Sequence, residues 1–262
     1  MKKHIYKILS TILVAGLVST SAFAAAGSNN KDLSNNKNTV YESREKKRIL
    51  NEMEEYYRKN GKGCLNEFDK LNRKQQKELE EAFGGYDNHN MNITKSRGPH
   101  ISINFSRFHD GSMILIRNSN ASRKIKMIGY WHHVGTYSQS KGSFITARNS
   151  NEGYGKGVIY EPKSWYLNHY DKGVGIDITP CNRDSRQLGR MMNWLDYFKG
   201  RKYGIATVSK VLNDNGCWYC SLLPWKGYKT TFGVDIHADG GPKVAPDDII
   251  NYKPSTIIAT SK

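Results

Sequence analysis

Between Val40 and Phe83 the apolar positions fall at Ile49, Met53, Tyr56 and Tyr57, then at Leu65, Phe68, Leu71, Leu79 and Phe83, with charged residues between them. Spacings of three and four put such residues on one stripe of an α-helix. Gly61-Lys62-Gly63 interrupts the stripe and Gly84-Gly85 ends it, so the pattern predicts a helical hairpin within residues 40–100, read as a cap or lid on the main domain. From Ile101 the period shortens to that of strands. Ile101 and Ile103 alternate, and His109-Asp110-Gly111 turns the chain into the apolar run Met113 to Ile116. Met127 to Tyr137 predicts a second strand and Ser143 to Ala147 its hairpin return, with further strands at Gly157 to Tyr160 and Val174 to Ile178. Arg186 to Phe198 carries Leu188, Met191, Met192, Leu195 and Phe198 at helical spacing and closes at Gly200. The expected class is α+β.

A second apolar run follows a cysteine. Cys217-Trp218-Tyr219-Cys220 leads into Ser221-Leu222-Leu223-Pro224-Trp225, a short helix with proline in its first turn, where a missing N–H costs nothing. A thiol at Cys220 feels the positive end of that helix, which favours the nucleophilic thiolate. Such a thiol needs a histidine to take and return a proton. Tyr130-Trp131-His132-His133-Val134 supplies two, and because adjacent strand residues face opposite sides only one of them can point at Cys220.

Length and charge narrow the setting. The chain has 262 residues, enough for one substantial core with a small extra segment. Lys2, Lys3 and Lys7 precede an apolar run from Ile8 to Val18 and a Ser21-Ala22-Phe23-Ala24 site, the pattern of an export signal cleaved near Ala24. The run is too short to span a bilayer, and no other segment approaches that length. Residues 25–39 are polar and small, which predicts a flexible leader. Residues 1–24 hold three lysines and no acid, so cleavage lowers the formal charge from +16 to +13. Such a charge favours anionic partners, which outside the cytoplasm are envelope polymers and lipid head groups, and the exported position argues against nucleic acid.

Four cysteines, Cys64, Cys181, Cys217 and Cys220, in an oxidising compartment allow three complete pairings. Cys217-x-x-Cys220 also has the spacing of a thiol-disulfide redox pair. Cys217, Cys220 and His237 could hold zinc, although a second compact ligand pair is missing, and no cofactor is expected. Trp218 and Tyr219 are either core or the wall of an acyl or sugar subsite. Asp247 and Asp248 read as residues that start a helix or turn.

Asp110-Gly111-Ser112-Met113-Ile114-Leu115, then His133-Val134-Gly135-Thr136-Tyr137, then Gly200-Arg201-Lys202-Tyr203 and Tyr219-Cys220-Ser221-Leu222-Leu223-Pro224-Trp225-Lys226-Gly227-Tyr228 resemble the circularly permuted papain-like hydrolases of the YaeF/YiiX type, relatives of the NlpC cell-wall peptidases. In these the histidine strand precedes the cysteine helix. The resemblance spans Ile101 to Ile258 and implies a papain-like domain over 101–262, with an antiparallel sheet packed on the cysteine helix. It implies Cys220 as nucleophile, His133 as base and Tyr203 as an active-site hydroxyl. The family's glutamate after the histidine strand falls here on Thr146, so the third member stays open between Thr146 and a loop carboxylate, Glu152 or Glu161. The family's Cys-Ser-Glu-Leu becomes Cys220-Ser221-Leu222-Leu223. Losing both acids keeps open a non-catalytic envelope-binding module beside a hydrolase of cell-wall peptide or lipid-linked substrate.

Overall fold

A computed structural model describes residues 31–61, 70–82, 100–119, 129–149, 156–204 and 216–262. The export signal, Cys64, Leu65, Phe68, Glu152 and the predicted stop at Gly84-Gly85 lie outside the described residues. Residues 38–262 make one compact unit, and the residues up to Lys37 another, of which the first turns of α1 are described.

α1 (Lys31–Asn60) is a single helix of 30 residues. It starts inside the stretch 25–39 expected to be a flexible leader, which corrects that boundary. No Gly or Pro interrupts the chain from Lys31 to Asn60, so a helix nucleated on the amphipathic part extends backward at small cost. Gly61, with φ of 79°, ends it. Ile49, Met53 and Tyr56 are the buried stripe that the spacing predicts. α2 (Arg73–Ala82) opens on a reciprocal cap: Asn72 Oδ1 accepts from the Gln75 N–H at 2.9 Å, and Gln75 Oε1 from the Asn72 N–H at 3.1 Å.

The described strands are β1 (Met113–Arg117), β2 (His133–Ser138), β3 (Ser143–Arg148), β4 (Gly157–Pro162), β5 (Lys172–Ile178), β6 (Lys202–Tyr203), β7 (Cys217–Trp218) and β8 (Ser255–Thr260). Six of them form an antiparallel sheet in the order β4-β3-β2-β1-β5-β8, while β6 and β7 pair in parallel. Ile101 and Ile103 are buried but do not join the sheet; Ser102 between them exchanges backbone hydrogen bonds with Lys262. The sheet is covered on both faces. Met113 and Leu115 belong to one hydrophobic cluster and Ile114 and Ile116 to another, the alternation of a pleated strand.

α3 (Lys163–His169), α4 (Ser185–Asp196), α5 (Leu222–Phe232) and α6 (Pro246–Asn251) complete the described α-helices. α4 and α5 pack side by side over the cluster that holds Val134, Ile145, Val174 and Ile176. Their close approach depends on Gly227, where a Cβ would lie 3.1 Å from Met191 Cγ. α3 and β8 were not foreseen. The second of these has the sequence Ser-Thr-Ile-Ile-Ala-Thr, a β-branched run that a pattern search can find.

Candidate active site

Cys220 sits one residue before Ser221, the N-cap position of α5, and Pro224 stands in the first turn. The turn carrying the thiol is held from both sides by one backbone residue. Ser221 Oγ donates to the Val244 carbonyl at 2.7 Å, and Tyr219 Oη accepts from the Val244 N–H at 3.1 Å. His133 opens β2. Thiol and imidazole are both buried, with Cys220 at 0% exposure and His133 at 4%.

His133 Nε2 lies 3.2 Å from Thr146 Oγ1 and 3.3 Å from Glu161 Oε2. Thr146 already gives its one hydroxyl proton to the Val134 carbonyl at 2.7 Å, so toward the imidazole it can only accept. A carboxylate accepts as well. Both neighbours therefore call for the proton on Nε2, which leaves Nδ1 as the basic atom of the ring. Nδ1 makes no hydrogen bond of ordinary geometry, and Cys220 is among the groups that raise the pKa of this ring. Burial alone would lower the imidazole pKa, but Cys220 and Glu161 outweigh it and His133 is pushed up to about 9.

Glu161 is wholly enclosed. Burial by itself would raise its pKa, but His133, Arg148 and Tyr166 hold the carboxyl below the usual range. Arg148 Nη1 donates to Glu161 Oε1 at 2.9 Å, and its guanidinium lies 4.4 Å over the Trp165 ring. The buried set of Cys220, His133, Glu161 and Arg148 is thus neutral overall whether the proton rests on sulfur or on nitrogen. Moving it between them leaves the net charge of the buried set unchanged, and the pair of charges it creates is supported by the Glu161 carboxylate beside the ring.

The sheet explains how these groups meet. The β2–β3 ladder runs from Ser138 opposite Ser143 to Thr136 opposite Ile145, and beyond it the Thr146 hydroxyl replaces a backbone donor at Val134. Glu161 lies opposite Phe144, which shares a face of β3 with Thr146. Gly135 keeps that region open: a Cβ there would come within 2.2 Å of Tyr166 Oη. Glu161 therefore comes from the fourth strand, which corrects its reading as a loop residue.

Behind His133 the chain is pinned by an acid. Asp247 accepts from the backbone N–H of Tyr130 at 2.7 Å and of Trp131 at 2.8 Å, and from the Tyr57 hydroxyl of α1. Burial pushes its carboxyl up to about 6 against the effect of these donors. Gly129 leaves room for it, since φ is 154° and a Cβ would lie 2.1 Å from Asp247 Oδ2.

Of the residues singled out from sequence, His133, Thr146 and Glu161 come together, and Cys220 is among the groups that raise the His133 pKa. Tyr203 lies beside Trp218 in the β6–β7 pair, inside the hydrophobic cluster that also holds Cys220. His132 turns elsewhere, and its Nδ1 accepts from the Asn118 N–H at 3.3 Å. The zinc set of Cys217, Cys220 and His237 does not form; the His237 ring faces Asp239 and Asp248. Cys181, Cys217 and Cys220 are free thiols, so no disulfide joins the Cys217-x-x-Cys220 pair. Trp218 is core, packed by Phe198 at 4.2 Å between ring centroids and by the Lys226 ammonium at 4.5 Å. Arg148 and Tyr166 were missed. Arg148 and Glu161 each follow directly on a predicted strand, where a charged residue reads as the strand's end.

No family model matches the sequence, and no curated protein matches it. Among solved structures the chain is similar to the metalloprotein yiiX of Escherichia coli O157:H7, DUF1105. The TM-score is 0.43 and the identity 14%, over 58% of this chain and 96% of that one. A likeness this distant does not place the chain in that protein's family. No described helix is long and apolar enough to cross a membrane.

Proposed function

We propose that this chain is an exported cysteine hydrolase that cleaves an amide or ester bond through a thioester. The observation that carries the reading is the buried His133 ring, held with Nε2 against Glu161 and Thr146, with Cys220 among the groups that raise its pKa. Cys220 passes its proton to Nδ1 and the thiolate attacks the carbonyl carbon, with the start of α5 favouring the negative charge. The tetrahedral oxyanion takes a hydrogen bond from the Cys220 backbone N–H. Collapse expels the amine or alcohol, which receives the proton from Nδ1. Water then gives a proton to Nδ1 and attacks the thioester, releasing the acid and restoring the thiol. Glu161 steadies the imidazolium in both halves.

A histidine strand ahead of the cysteine helix, with α5 and the antiparallel sheet sharing one cluster, supports a permuted papain-like arrangement. The basic charge supports an anionic envelope substrate, cell-wall peptide or lipid-linked acyl group, met after export and cleavage near Ala24. The complete burial of Cys220 favours a second reading, an envelope-binding module in which the pair is inert.

Alkylation of the native protein by iodoacetamide, located by mass spectrometry, separates the two. Rapid modification of Cys220 near neutral pH, lost in His133→Ala, supports the hydrolase. Modification only after unfolding, with retained binding to envelope fractions, supports the module.

A further inference from the structure

A second polar cluster lies apart from Cys220, His133 and Glu161. His237 Nε2 is 2.6 Å from Asp239 Oδ1 and 3.2 Å from Asp248 Oδ2, and the three ligand atoms all lie within 4.8 Å of one another. The imidazole is fully enclosed and Asp248 nearly so, while Asp239 reaches solvent. Such a site has a closed back and one open side.

Its members are held in place by bonds that do not involve each other. The His237 backbone N–H donates to Asp235 Oδ1 at 3.2 Å, and the same oxygen accepts from Trp225 Nε1 on α5 at 2.8 Å. Asp248 accepts from the Ala245 N–H at 2.6 Å, which fixes it at the start of α6. Charge points the same way. Two carboxylates face one imidazole, and even a protonated ring brings only one positive charge against two negative ones. A divalent cation with a neutral imidazole balances the set, at a place where one carboxylate is buried.

We propose that His237, Asp239 and Asp248 form a divalent-cation site, completed by water on the Asp239 side. One imidazole nitrogen and two carboxylate oxygens suit a borderline ion such as Mn2+ or Zn2+, since Ca2+ and Mg2+ prefer oxygen alone. The ion fastens the segment from Asp235 to Asp248 on itself, and Val244 within that segment grips Ser221 and Tyr219 on either side of Cys220. The site stands whether or not Cys220 reacts.

The test uses the purified chain without a histidine tag, stripped with chelator and titrated with Mn2+ while the free ion is followed by electron paramagnetic resonance. Thiols bind Mn2+ poorly, so the cysteines do not compete. A single equivalent is expected to bind, Zn2+ is expected to displace it, and Cys217→Ser with Cys220→Ser is expected to leave binding unchanged. His237→Gln and Asp239→Asn should each weaken it by about tenfold or more. Asp239 is exposed, so its variant keeps the fold, which circular dichroism verifies. Absence of stoichiometric binding by the wild type, or binding by both variants as tight as by the wild type, overturns the proposal and leaves an imidazole clasped by two carboxylates.

Discussion

Glu161 Oε2 on β4 stands 3.3 Å from His133 Nε2 on β2, and Thr146 of the intervening strand shares the same nitrogen at 3.2 Å. The acceptor that carries charge and the acceptor that does not are thus side by side, and substitution can tell their parts apart.

Glu161→Gln keeps the shape but removes the charge that steadies the imidazolium, and it leaves the buried Arg148 without its carboxylate. It should cost about 3–5 kcal/mol of stability, the scale for breaking a buried ion pair. Thr146→Val removes the hydroxyl's bonds to the Val134 carbonyl and to His133 but no charge, and should cost about 1–3 kcal/mol. Cys220 alkylation at pH 7 should fall by about tenfold or more in the first, as one pKa unit on His133 implies. In the second the rate should stay near wild type. Denaturant titration and labelling rates check both, and equal effects would reject Glu161 as the charged partner.

The pH dependence comes from His133. Its folded pKa, about 9, lies above the ordinary value near 6.5, so the folded state binds the extra proton between the two. That contribution is complete below about pH 6.5 and is lost as pH rises through about 9. The melting temperature of wild type should fall more steeply over this window than that of His133→Gln. A ring resonance titrating near 9, moving down in Glu161→Gln, should report the same group by NMR.

Gly135→Ala places a methyl where Tyr166 Oη and Phe144 Cβ already sit, at 2.2 and 2.9 Å. Overpacking of this kind costs about 1–3 kcal/mol. Tyr166→Phe in the same chain removes the nearest atom and should recover part of the loss. A double-mutant cycle by chemical denaturation tests this, and strict additivity would refute the contact.

Asp247→Ala strips acceptors from the backbone N–H groups of Tyr130 and Trp131 and from Tyr57. Each unsatisfied buried donor costs about 1–3 kcal/mol, so a loss of several kcal/mol is expected. Because α1 is tied to α6 through Tyr57 and Asp247, limited proteolysis within Lys31–Asn60 should quicken in the variant before the remainder of the chain yields.

Much of this was open to reading along the chain. The α1 stripe, the paired turns of β1 to β3, the α4 spacing and the cysteine ahead of an apolar helix are all local, because a period of 3.6 or of two is written in consecutive residues. Arg148 was hidden, and Glu161 was read as a loop alternative, because charge at the edge of an apolar run marks the run's end unless a partner is known. Each supplies the partner for the other, and they are thirteen residues apart.

The sequence alone determined the α+β class, the order of histidine strand and cysteine helix, and the residues offered for the chemistry. Only the tertiary structure decided which carboxylate joins His133, that Asp247 anchors the backbone ahead of it, and that His237 faces two aspartates rather than two thiols. The physical reason is that hydrophobic periodicity is set by neighbours in the chain. Burying a charge depends instead on a partner across strands and loops, which exists only once the sheet has closed.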